Sequence, residues 1–327
     1  MNSDFKNSNL NVAIIKLSAL GDIVHASIVL QFIKRNLKQA RITWIVDENF
    51  SEILKEHPLI DELISLPLKK KEFKKSYEIL RNLGKFDVVI DLQGLIKSAI
   101  VAKILGGQTY GFDKNSVKES FASRFYKHKF SIDYNENIII RNLSLVAYAL
   151  NFSFGKEEIL AKEPCFMTKP ARLLNENKRI LIAPFASEES KCYDKFKEVI
   201  NLLKEFEIYL CHANEKEMIK AKQIAKNTHA KLLEKMSLKD MVNFISSCDL
   251  IIGNDSGITH IAWAQNIASI TLFGNRPSHR NTYVTPINLT IDTGKKIDAR
   301  RIDKSDFCIR EISPKLIADS AKRLVNA

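Results

Sequence analysis

The chain has 327 residues, 45% of them hydrophobic, and a formal net charge of +12. That length exceeds what one core usually organises, so two domains are expected, and no apolar run reaches the ~18 residues of a membrane-spanning helix. The five cysteines, Cys165, Cys192, Cys211, Cys248 and Cys308, form no Cys-x-x-Cys pair; their spacing suits neither zinc nor a disulfide framework and points to a reducing, cytoplasmic setting.

The opening stretch MNSDFKNSNL lacks an apolar signal core and is expected to be a short disordered leader. After it, short apolar runs alternate with amphipathic stretches. VAIIK (12–16) reads as a strand, HASIVLQFIKRNLKQ (25–39) as a helix, RITWIV (41–46) as a strand and KKSYEILRNLG (74–84) as a helix. FDVVID (86–91), LIKSAIVAKILGG (95–107) and TYGF (109–112) continue the alternation, with Gly84 and Gly106 stopping helices. Alternation of this kind means a parallel sheet covered on both faces.

The pattern restarts at ILIAPF (180–185). KFKEVINLLKEF, EIYLCHA (207–213), EKEMIKAKQIAKN, CDLIIGNDSG (248–257) and ASITLFG (268–274) follow as helix, strand, helix, strand with loop, and strand. FDVVIDLQG and CDLIIGNDSG share a design: Asp, a four-residue apolar core, then a polar loop with Gly. The expected fold is therefore α/β with two Rossmann-like domains facing across a cleft, 1–165 and 166–327, joined within 155–179. The last helix, 313–327, has Ser313 to cap it and Pro314 at its first position, and is expected to pack back on the first domain.

Charge is uneven. Residues 66–129 hold 14 Lys/Arg and 6 Asp/Glu, an excess of +8, densest at LKKKEFKK (68–75). Such a stretch is either a solvated helix start or a surface for an anionic partner such as a phosphorylated lipid or charged membrane face. Aromatic interleaving is too sparse for single-stranded nucleic acid, so no nucleic-acid partner is expected.

Ligands of parallel sheets bind at the carboxyl ends of strands, and four such loops carry unusual polar sets. In SALGDIVH, Asp22 lies at a helix start that keeps a carboxylate ionised; it either caps the helix or serves as a general base, with His25 near the same face. In DLQGLIKSA, Gln93, Gly94 and Lys97 suit a polar ligand, or Asp91 and Gln93 satisfy local backbone. In PFASEESKCYDKF, Ser187, Ser190 and Lys191 either meet a diphosphate or form a surface loop. In GNDSGITHIAWA, Ser256, Gly257 and the following N–H groups form a helix-N-terminal anion site beside His260, or Asp255 merely caps that helix.

In this order, KLSALGDIVH, FDVVIDLQGLIKSA, KMSL and GNDSGITH resemble the ADP-heptose:lipopolysaccharide heptosyltransferases, family 9 glycosyltransferases of GT-B fold. The similarity spans nearly the whole chain, and GDIVH paired with DLQGLIKSA is the pattern of the family's type I members. The resemblance implies an inverting transfer of heptose from ADP-heptose to a Kdo residue of Kdo-lipid A. Asp22 falls on the catalytic base and Lys191 on the diphosphate lysine. Ser187, Asp255, Ser256, Gly257, Ile258 and His260 fall on the donor site, with Glu217 at the ribose hydroxyls and Met236 at adenine. Ser18, Gly21, His25, Gln93, Gly94 and Lys97 would meet the acceptor, as would Lys69, Lys70, Lys71, Lys74 and Lys118 through its carboxylates and phosphates. No cofactor or tightly held metal is implied. A monomer in transient, peripheral contact with the cytoplasmic face of the inner membrane is the expectation. One departure stands out: paired threonines, then Lys and Trp-Pro, are usual in the phosphate loop, and here Ala186-Ser187 precede Lys191-Cys192-Tyr193.

Overall fold

The computed structural model describes residues 9–168 and 178–326. Most of the expected leader and part of the expected join lie outside the described residues. The chain divides into two compact units, Met1–Met167 and Thr168–Ala327.

In the first unit the elements run β1 (Asn11–Ile15), α1 (Leu20–Asn36), β2 (Arg41–Asp47), β3 (Glu62–Leu66), α2 (Phe73–Arg81), β4 (Val88–Asp91), α3 (Ile96–Leu105), β5 (Gln108–Phe112), β6 (His128–Phe130), α4 (Ile138–Leu150) and α5 (Lys156–Leu160). Short 3-10 turns cover Glu48–Leu54 and Ser120–Phe125. All strands are parallel in the order β3-β2-β1-β4-β5-β6. The central strands are apolar on both faces because helices cover both sides. Helix α1 is buried from Ile23 to Ile33, with α4 packed against it.

The second unit runs β7 (Arg179–Ala183), α6 (Phe196–Leu202), β8 (Glu207–Leu210), α7 (Glu215–Ala225), β9 (Lys231–Leu232), α8 (Leu238–Ser246), β10 (Leu250–Asn254), α9 (Gly257–Ala264), β11 (Ser269–Phe273), α10 (Ser278–Asn281), β12 (Asn288–Asp292) and α11 (Pro314–Val325). Its parallel sheet has the order β12-β11-β10-β7-β8-β9. Counted from β7, this is the order of the first sheet.

Two features bear on the sequence reading. Helix α1 begins at Leu20, five residues before the expected start, so Asp22 sits inside its first turn. The last helix packs on the second unit's own sheet: Ile317, Ala318 and Ala321 of α11 join a core with Phe196, Ile200, Leu250 and Ile270. Its apolar face is thereby used within the second unit.

Candidate active site

In each unit, chain order reverses between the first and fourth strands, β1/β4 and β7/β10, and loops at the carboxyl ends there are where parallel sheets bind ligands. In the first unit this loop is Leu17–Ala19, leading into α1. Two neighbouring strands hold it. Gln93 Oε1, from the loop after β4, accepts from the N–H groups of Leu17 and Ser18, both at 3.1 Å. Asp47, at the end of β2, donates its N–H to Leu17 O at 3.1 Å, and its Oδ2 accepts from Lys69 N at 3.0 Å. The start of the basic stretch is thus tied through one residue, Asp47, to the loop that presents Asp22.

Asp22 is half-buried, and its Oδ2 accepts weakly from Ala19 N at 3.3 Å. Among the polar groups here it is the carboxylate left accessible. Ser18 and Gly21 are half-buried beside it in sequence, whereas His25 is only 4% exposed within α1. Asp91 is fully buried and accepts from Gln93 N (2.8 Å), Gly94 N (3.2 Å) and Tyr126 OH (2.6 Å). Burial pushes its carboxyl above the ordinary value despite these donors. Gly94 has φ +68°, and a Cβ there would lie 2.8 Å from Val117 Cγ1, so the turn needs glycine.

The expected acceptor lysines Lys69, Lys70, Lys71, Lys74, Lys97 and Lys118 are all exposed. Lys69 Nζ lies 4.3 Å from the Phe50 ring centroid, and Lys70 pairs with Glu48 at 2.8 Å.

In the second unit the polar groups converge. Lys191 ends a 3-10 turn, Glu189–Lys191, and its Nζ reaches Asp255 Oδ2 at 2.7 Å and Asp255 O at 3.2 Å. His260 Nε2 lies 3.0 Å from Asp255 Oδ1, and Asn281 Nδ2 donates to Asp255 Oδ2 at 3.2 Å. Asp255 is 5% exposed. Burial would raise its carboxyl, but Lys191 and His260 outweigh it and hold it well below the usual carboxylate range. Directly after it, α9 starts at Gly257 with Ser256 as its cap residue, so the first-turn N–H groups of Gly257 and Ile258 are available to an anion. Ser190 Oγ, next to Lys191, is buried without a hydrogen-bond partner. Gly253 lets this turn approach β7: a Cβ there would lie 2.8 Å from Ala183 O and 3.0 Å from Thr259 Cγ2.

The remaining expected donor residues sit around the same sheet. Ser187 is exposed after β7, and Met236 is half-buried just before the α8 cap Ser237. Glu217 lies in the first turn of α7, where one carboxylate oxygen accepts from Ala213 N at 2.7 Å. Tyr193, where Trp-Pro is usual, is core: its N–H donates to Asn254 Oδ1 at 3.0 Å and its hydroxyl to Ile312 O at 2.8 Å. Sequence reading missed Asn281, Asp47 and the pair Arg276–Glu188 (2.8 Å). No local spacing marks them, since each meets its partner across a long sequence separation. Among the described residues, no group of three or more His, Cys, Asp or Glu is placed to hold a metal ion.

Two Rossmann-type units, one presenting an accessible carboxylate in a first helical turn and the other a helix start open to an anion beside the half-buried Lys191, have the architecture of the GT-B glycosyltransferases. The profile of "Glycosyltransferase family 9 (heptosyltransferase)" matches residues 77–295, and the chain belongs to that family. It is 46% identical to lipopolysaccharide heptosyltransferase 1 of Campylobacter coli, over 96% of this chain and 99% of that one. It is 25% identical to the Escherichia coli K12 protein of the same name, over 81% and 88%. The solved structure of E. coli heptosyltransferase WaaC with ADP-2-deoxy-2-fluoro heptose has the same fold, with a TM-score of 0.74 at 22% identity over 97% of this chain and 100% of that one.

Proposed function

We propose that the protein transfers heptose from ADP-heptose to a Kdo residue of Kdo-lipid A, with inversion and without a covalent sugar–enzyme intermediate. The observation that carries this reading is the 46% identity, end to end, to a lipopolysaccharide heptosyltransferase 1. Asp22 takes the proton of the attacking Kdo hydroxyl, whose oxygen bonds to the anomeric carbon as the bond to the diphosphate oxygen breaks. ADP leaves with negative charge, which Lys191 and the first N–H groups of α9 stabilise. Asp255 holds Lys191 and His260 in place and faces the donor sugar. Glu217 and Met236 hold the nucleoside. The exposed lysines of 69–74, with Lys97 and Lys118, meet the carboxylates and phosphates of the acceptor.

The acceptor is a membrane lipid, while no helix among the described residues is long and apolar enough to cross a bilayer. On this reading the protein works as a cytoplasmic monomer that visits the inner membrane's cytoplasmic face through its basic side. The test is one assay with purified protein and ADP-heptose, offering Kdo-lipid A or heptosyl-Kdo-lipid A. Product with the first acceptor alone is expected; product with the second alone overturns the acceptor assignment.

A further inference from the structure

Helices α2 and α3 and the 3-10 turn Ser120–Phe125 lie side by side on the first unit. They carry Phe73 (59% exposed), Tyr77, Ile96, Ile100 and Phe121 (48%), five of the thirteen exposed large apolar side chains among the described residues. Phe73 with Tyr77, and Ile96 with Ile100, are spaced to form one stripe on each helix. The core-facing sides of these helices are already used, by Leu80, Ala99 and Ala102, so the stripes are surplus to folding. Glu119 Oε2 accepts from Ile96 N at 2.7 Å, which ties the Phe121 turn to the start of α3. An apolar cluster of this kind marks a contact surface.

Cations are built into the same surface. The Arg124 guanidinium lies 4.8 Å from the Phe121 ring centroid and Lys103 Nζ lies 5.5 Å from that of Phe125. The two rings meet edge to face at 5.8 Å. Lys74, Lys75 and Lys97 are exposed on α2 and α3. A second copy of the chain would bring this excess of positive charge against itself, whereas an anionic bilayer complements it.

We propose that this surface is an interfacial docking face. Its five apolar side chains enter the headgroup region of an anionic bilayer while the lysines and Arg124 meet lipid phosphates. The inference rests on the membrane contact proposed above but not on the sugar or the acceptor chosen.

The test uses the full chain with vesicles of phosphatidylcholine alone or mixed with phosphatidylglycerol. The protein is expected to co-sediment with the mixed vesicles and to stay partly bound at high salt. Replacing Phe73, Tyr77 and Ile100 by Ser should lower partitioning at least about tenfold, at unchanged melting temperature and unchanged turnover of a Kdo acceptor lacking acyl chains. A separate Ile100→Trp variant should show blue-shifted emission on mixed vesicles. Equal binding by the triple variant, no blue shift, or a wild-type dimer that the triple variant dissociates would overturn the docking face. If wild type binds vesicles but turns over no Kdo acceptor, the transfer reading fails and the docking face stands.

Discussion

The two units share one sheet order and one strand-start device, yet they spend their polar residues differently. Asp87, just before β4, accepts from Asn11 N at 2.8 Å, and Asp249, just before β10, accepts from Arg179 N at 2.9 Å. Each carboxylate pins its unit's fourth strand to its first. At the other end of those strands the likeness stops. In the first unit, Asp91, Gln93 and Asp47 are consumed by backbone N–H groups, which makes a rigid frame around one accessible carboxylate, Asp22. In the second, Asp255 is met by a lysine, a histidine and an asparagine, which concentrates charge beside a helix start. Duplicated topology sets where a polar loop lies; whether that loop ends in backbone hydrogen bonds or in side-chain charges sets whether it offers an accessible carboxylate or a cationic cluster.

This contrast can be broken at three points. The largest effect is expected at Asp22. Asp22→Asn should reduce heptosyl transfer by about 10²–10⁴-fold while ADP-heptose affinity, measured by calorimetry, and melting temperature hold. Retained turnover would show that the accessible carboxylate is only a helix-start residue.

Asp255→Asn should act on stability as well as on the donor. It leaves the mostly buried Lys191 ammonium without its counter-charge, a loss of about 3–5 kcal/mol in urea unfolding at neutral pH. The sign with pH follows from the lowered carboxyl. Its stabilising contribution is complete above the unfolded value of 3.8 and is lost as pH falls below 3.8 toward the folded value. The gap between wild type and variant should therefore narrow on acidification. A gap independent of pH would remove the charge cluster from the comparison.

The smallest effect belongs to the frame. Gln93→Ala strips the acceptor from the Leu17 and Ser18 N–H groups and should cost about 1–3 kcal/mol. Turnover should fall with it, since those groups shape the loop leading to Asp22, while donor affinity stays the same. Unchanged stability with reduced turnover would mean that Gln93 faces the acceptor and not the backbone.

Legibility followed burial. The strands found in the sequence, such as LIIGN of β10 and VVID of β4, are fully buried and so read as apolar runs. The four without a counterpart in that reading, β3, β6, β9 and β12, are the four sheet edges. An edge strand has one unpaired side and a wetter face; HKF and KL hold one apolar residue each, too few to read as an apolar run. The site divides in the same way. Lys191, Asp255 and the Gly257 turn stand out as motifs because strand-end loops are local. Asn281 reaches Asp255 from 26 residues away, and Arg276 reaches Glu188 from 88.

By itself, then, the sequence determined the two α/β halves, the family and the charge excess of residues 66–129, because hydrophobic periodicity, motif spacing and charge are properties of neighbours along the chain. Only the tertiary structure decided that Gln93 and Asp47 serve the backbone, that α11 closes the second unit's core, and that five apolar side chains share a basic surface. Those outcomes depend on strand order and helix packing, which bring together groups that no local pattern relates.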